Sequence, residues 1–173
     1  LDQIRIPLNR LFAAPFNMQR GNIGRNINLL CKGSERHCKF QLKKTLEEHV
    51  ADIRRSIDYA KELDINVNLY LEDWSNGMKD SPDYVYGLID ALKDSGVKRF
   101  MLPDTLGILN PQLTAVFVNQ MVTRYPDLHF DFHAHNDYDL ATSNVLAAVM
   151  AGCRGGHTAV HCLGERAGNA PPP

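Results

Sequence analysis

Two histidines one residue apart, His133 and His135, followed at once by Asn136 and Asp137, are the residues of this sequence best suited to chemistry. On a β-strand, side chains at i and i+2 leave the same face, so two imidazoles at that spacing can ligate one metal ion. A histidine pair also serves in cores through hydrogen bonds, and the spacing alone leaves both readings open. If a carboxylate from another strand joins them, the result is a facial site with open positions, able to polarise a substrate oxygen. Tyr70 and Glu72 share the polar parity of a segment whose other parity is Val67, Leu69 and Leu71. An inward carboxylate is costly unless it is used or paired, so Glu72 reads as a site residue or as half of a buried salt bridge. Thr105 follows Pro103-Asp104, where a hydroxyl suits a substrate carboxylate or a turn. Glu165 and Asn169 stand in a glycine-rich stretch, and glycines either admit a ligand close to the backbone or simply shape a turn. His49 is expected in solvent on a helix, Trp74 at a rim, and Lys43-Lys44 on the surface.

The elements that must position these residues alternate between strands and amphipathic helices, the pattern of a parallel sheet with crossover helices. Residues 27–31 form the first clear strand. Thr45-Leu46-Glu47-Glu48 has capping-box form, and Leu46, Val50, Ile53, Ile57 and Ala60 follow at helical spacing for about five turns. Residues 66–72 alternate as a strand. Ser81-Pro82 opens a helix that Gly96 ends, and residues 100–103 are the next strand. Asn110-Pro111 opens a third helix that must stop before Pro126. Residues 128–133 form a fourth strand, 139–151 a helix closed by Gly152, and 157–160 a fifth strand. In the first 26 residues Ile4-Arg5-Ile6 suggests a strand edge, but Pro7, Pro15, Gly21 and Gly24 interrupt any period.

Two α/β architectures suit this order. An open doubly wound sheet would want a glycine-rich phosphate turn after an early strand, and G-x-G-x-x-G is absent. Strands with one apolar and one polar face, carrying inward polar residues near their C-terminal ends, favour a (β/α)8 barrel. Too few units are present to close one, so a partial barrel is expected, lacking the first strands and the last helix. The chain begins with Leu1 and ends at Pro171-Pro172-Pro173, which suggests that both natural ends are missing.

The chain has 173 residues, 44% hydrophobic and 23% charged, which is enough to bury a core. A net charge of -1 and the lack of any long like-charge run give nucleic acid or an anionic membrane nothing to attract it. No apolar run approaches the ~18 residues that span a bilayer. The four cysteines form no C-x-x-C pair, and a reducing, cytoplasmic setting is expected.

Five segments in order then carry a resemblance: Asn28-Leu29-Leu30-Cys31-Lys32-Gly33-Ser34, Tyr70-Leu71-Glu72-Asp73-Trp74-Ser75-Asn76-Gly77, Leu102-Pro103-Asp104-Thr105-Leu106-Gly107, His133-Ala134-His135-Asn136-Asp137 and Gly164-Glu165-Arg166-Ala167-Gly168-Asn169. Together, across roughly residues 27–169, they resemble the acyl-CoA-condensing barrel metalloenzymes. Isopropylmalate, citramalate and homocitrate synthases belong there, with hydroxymethylglutaryl-CoA lyase as a relative. The resemblance implies a divalent metal (Mg, Mn or Zn) held by His133 and His135, with Asn169 at or near its coordination shell. It also implies a further carboxylate ligand from a first-strand motif that this sequence lacks.

The implied reaction is a Claisen condensation of acetyl-CoA with a 2-oxo acid, 2-oxoisovalerate or pyruvate, followed by thioester hydrolysis, in branched-chain amino-acid biosynthesis. Glu72 and Glu165 would be the catalytic carboxylates, with Thr105 on the substrate carboxylate and Glu165 toward acetyl-CoA. His37 is carried over as a substrate contact. Tyr70 would take volume from the pocket for the oxo acid's side chain. A homodimer is expected, as is usual in relatives. Where relatives have Asn-Gly, this chain has His161-Cys162. A carbon-carbon lyase acting on a hydroxyacyl-CoA and a non-catalytic fragment remain the alternatives.

Overall fold

The computed structural model describes residues 25–172. Its framework is a parallel sheet of five strands in the order of the chain, β1-β2-β3-β4-β5, with helices between them. The strands are β1 (Asn26–Lys32), β2 (Asn66–Glu72), β3 (Arg99–Asp104), β4 (Phe130–Ala134) and β5 (Gly155–His157). The helices are α1 (Leu46–Glu62), α2 (Trp74–Asp80), α3 (Pro82–Leu92), α4 (Pro111–Arg124) and α5 (Ala141–Met150). Consecutive parallel strands with a helix between each pair are the repeating unit of a (β/α)8 barrel, here present in part. No helix among the described residues is long and apolar enough to cross a membrane.

Register sorts the side chains into two faces. Leu69, Phe100, Phe130 and Phe132 share the outward parity and are almost wholly buried beneath Ile53, Ile57, Leu88, Ile89, Val118 and Met121 of the helices. Leu30, Tyr70, Met101 and Asp131 align on the other parity, as do Lys32 with Glu72 and Pro103 with His133 and His157. That inward face carries most of the candidate site. Leu30 is 62% exposed because, among the described residues, β1 pairs only with β2 and the interior is open beside it.

The Thr45 capping box forms as predicted, with Thr45 Oγ1 accepting the Glu48 N–H and Glu48 answering to the Thr45 N–H. Ser81 precedes Pro82 without a side-chain cap; its Oγ accepts the Glu35 N–H instead. Short helical turns at residues 35–42 and the helix α2 carry too little period for the sequence to announce them.

Several expectations are corrected. The fifth strand lies at Gly155–His157, and the chain then turns through a 3-10 segment, Val160–Cys162, where His161 and Cys162 hold positive φ. Trp74 covers no rim. It is 0% exposed and packs edge-on to Phe117 of α4 and Phe132 of β4 from the first position of α2. His49 is not solvated: it is 4% exposed, on the side of α1 that faces β1 and α3. The Ile4-Arg5-Ile6 edge lies outside the described residues.

Candidate functional site

Strand β4 delivers His133 inward, and the chain carries His135 just past its end. Their rings stand 5.1 Å apart between centroids, nearly perpendicular. Each keeps a buried Nδ1 that no protein group satisfies. Burial pushes the His133 pKa down to about 4, and burial, followed by the nearby Arg166 charge, lowers that of His135. Both imidazoles are therefore neutral near pH 7, the form that ligates metals.

The loop after β5 returns to this pair. Asn169 forms an antiparallel bridge with His135, its side-chain N–H donates to the Ala134 carbonyl at 3.0 Å, and its Nδ2 lies 3.5 Å from His133 Nε2. Gly168 makes that return possible. Its φ of +91° is open to glycine, and a Cβ there would strike the Cys162 carbonyl. Two neutral imidazoles with unused nitrogens beside a side-chain amide fit, in donor type, an N/O-ligated divalent ion. Among the described residues no group of three or more His, Cys, Asp or Glu side chains could hold one alone.

Around the pair, β2 and β3 contribute the rest. Glu72 pairs with Lys32 across strands at 2.5 Å, so the salt-bridge reading of this carboxylate is realised, on one oxygen. Thr105 Oγ1 accepts the Asp73 N–H at 2.8 Å, which leaves the hydroxyl proton to donate elsewhere. Asp73 is buried and holds positive φ. Its carboxylate accepts from Ser34 at 2.7 Å and Asn76 at 2.7 Å, with His37 Nε2 at 3.4 Å. His37 thus meets the carboxylate of Asp73, the residue whose backbone N–H reaches Thr105. Glu165 projects into solvent with its side chain 80% exposed, 3.8 Å from Arg166.

Three residues that sequence reasoning did not single out belong to this constellation. Lys32 neutralises Glu72. Arg166 grips Asp137 with two bonds of 2.8 and 2.9 Å and donates to the Thr105 carbonyl at 2.6 Å, tying the final loop to the ends of β3 and β4. His157 meets the Tyr70 hydroxyl through Nδ1 at 2.8 Å and lies 5.4 Å from the His133 ring. Lys32, Asp137 and Arg166 all fall inside the segments that carried the resemblance, a signal that was there to be used. His157 lies outside them.

The HMGL-like family pattern matches residues 20–172. Homocitrate synthase of Sulfolobus acidocaldarius is 37% identical over 140 residues, covering 80% of this chain and 29% of that protein. 2-Isopropylmalate synthase of the same organism is 34% identical over 145 residues, covering 84% and 37%. The chain thus spans about a third of the length of these relatives. Among solved structures, hydroxymethylglutaryl-CoA lyase from Pseudomonas aeruginosa superposes with a TM-score of 0.74 at 18% identity, covering 85% of this chain and 52% of that one; at such identity the likeness speaks to the fold. With the pattern running through all five of the described strands, this chain belongs to the HMGL-like family.

Proposed function

We propose that this chain is the metal-binding and oxo-acid-binding portion of an acyl-CoA-condensing synthase, which joins acetyl-CoA to a 2-oxo acid and hydrolyses the resulting thioester. The observation that carries the reading is the His133–His135 pair, neutral, with unpartnered nitrogens, at the C-terminal end of the sheet and closed over by Asn169. Barrel enzymes build their sites at that end. His133, His135 and Asn169 would hold the divalent ion, which when bound polarises the ketone oxygen of the oxo acid.

The chain's own groups do the rest. Thr105, with its acceptor role taken by the Asp73 N–H, donates its proton to the substrate carboxylate. Glu72, anchored on one oxygen by Lys32, keeps the other for the hydroxyl that forms when the ketone carbon is attacked. Tyr70 narrows the space for the oxo acid's side chain. Glu165 serves the acetyl-CoA end only after its loop turns inward. Lys32 is committed to Glu72, so a second substrate carboxylate gains no partner from it, and an oxo monocarboxylate is preferred.

The test measures CoA release from acetyl-CoA with pyruvate, 2-oxoisovalerate and a 2-oxo dicarboxylate, on the protein with its barrel complete, with and without a divalent ion. Metal-dependent release that His133→Ala abolishes supports the reading, and the preferred acid names the reaction. Full release from the His133→Ala variant, or none from the wild type with any acid, sinks it.

A further inference from the structure

The hydrogen bond between Tyr70 and His157 is unusual in its span. Tyr70 sits on β2 and His157 on β5, with β3 and β4 between them. Neighbouring strands lie about 4.8 Å apart, so three intervals along a flat sheet would separate the two backbones by roughly 14 Å. Their side chains nevertheless meet at 2.8 Å, because the sheet curls and both residues point into its concave face. The bond is a chord across the mouth. Beneath it lies His133, whose ring is 6.0 Å from that of Tyr70 and 5.4 Å from that of His157.

A phenol on a strand can rotate about two side-chain torsions, and among the described residues it is His157 that holds the Tyr70 hydroxyl. Burial and the nearby Asp131 charge keep the phenol protonated, and with the imidazole proton on Nε2 it donates to His157 Nδ1. The ring is thereby held across the space beside His133.

We propose that His157 is a positioning residue for substrate selection: by accepting the Tyr70 hydroxyl it locks the ring across the mouth and limits the oxo acid to a short side chain. The inference rests on the oxo-acid reading above. Without the bond the ring swings aside and branched acids gain room.

The experiment compares wild type, His157→Leu, Tyr70→Phe, the double variant and His157→Asn, whose amide oxygen can take the place of Nδ1, all in the protein with its barrel complete. Two ratios are read: kcat/KM for pyruvate over that for 2-oxoisovalerate, and the calorimetric Kd ratio of the same two acids with Mg or Mn present. His157→Leu and Tyr70→Phe should each shift both ratios roughly five-fold toward the branched acid, the loss of one hydrogen bond, with no further shift in the double variant and recovery in His157→Asn. Unchanged ratios in His157→Leu overturn the proposal. Loss of divalent-ion affinity without a change in preference also overturns it, since His157 would then act on His133. If the wild type binds the acids selectively but releases no CoA, the synthase reading fails, and the shift in Kd ratio still decides the role of His157. Binding of neither acid ends both.

Discussion

Arg166 holds the final loop to the rest of the site by three hydrogen bonds, two to Asp137 and one to the Thr105 carbonyl. Its side chain is 40% exposed, and pairs in such surroundings contribute less than about 1 kcal/mol to stability. Its work is geometric: a lysine keeps the charge but cannot form the fork. Arg166→Lys should leave the unfolding free energy nearly unchanged while speeding amide exchange at Asn136, which donates to the Gly168 carbonyl, and at Asn169; unaltered exchange would show that the loop holds without the fork. Gly168→Ala strains the same loop from within, because φ of +91° and the Cys162 carbonyl both oppose a Cβ. Displacing Asn169 should weaken divalent-ion binding roughly ten-fold by calorimetry, as loss of a supporting group does elsewhere, and an unchanged affinity would remove Asn169 from the metal's surroundings. The inward placement of Tyr70, Glu72 and His133 was legible in the sequence because alternation alone fixes which face a strand residue takes. Their partners were not. Lys32 meets Glu72 through strand register, and His157 meets Tyr70 through the curl of the sheet, and neither quantity is written in local spacing.

Three elements meet at His49, and its misreading as a solvated histidine shows where helical periodicity runs out. His49 falls one position before Val50 on α1, at the margin of the apolar stripe, and only the packing of α3 and β1 against that margin decides its environment. The Lys32 N–H donates to Nε2 at 3.4 Å, which assigns the proton to Nδ1. Nδ1–H then donates to the Tyr84 hydroxyl at 2.9 Å, and that hydroxyl donates to the Lys32 carbonyl at 3.1 Å. The cycle is complete for a neutral ring alone, since a proton on Nε2 would face a donor. Burial accordingly lowers the His49 pKa from 6.5 to about 4. The unfolded chain binds this proton first, so the stability from neutral His49 is fully present above pH 6.5 and is lost as the pH falls toward 4. The loss amounts to about 3 kcal/mol. Urea unfolding between pH 7.5 and 4 should show this decline, and His49→Gln should flatten it; a decline of equal depth in the variant would assign the acid sensitivity to other groups. The cap of the same helix was readable, since Thr45 and Glu48 act within one turn. Thr45→Ala should cost about 1 kcal/mol in the same assay, and no loss would mean that packing alone fixes the start of α1.

At the scale of the molecule, a barrel is stable in part because closure leaves no strand edge, and the described residues hold two. On one side residues 27–32 of β1 pair, among the described residues, only with β2, and Leu30 turns into the open interior. On the other, β5 pairs only to β4 over three residues, with Val160 and Leu163 exposed beyond it. The two edges are unequal hazards. Three residues with two glycines make a poor template, whereas a longer strand, with a large apolar side chain on the stretch 27–32 that pairs on one side among the described residues, can recruit another copy. The inward face adds to this, because in a closed barrel Leu30 would be covered by side chains from strands opposite. A polypeptide limited to residues 25–172 should therefore self-associate through β1, and sedimentation velocity should show its mean mass rising with concentration. Leu30→Lys places a charge at the centre of that edge and should return the segment toward a monomer. The same charge should leave the β5 edge unaffected, so association that persists in the variant would place the contact there or on the helices. A wild-type segment that stays monomeric at every concentration would show that the β1 edge is no template. In the closed barrel the same substitution buries an unpaired ammonium and should destabilise the fold, so the sign of its effect reports whether the interior beside β1 is open or filled.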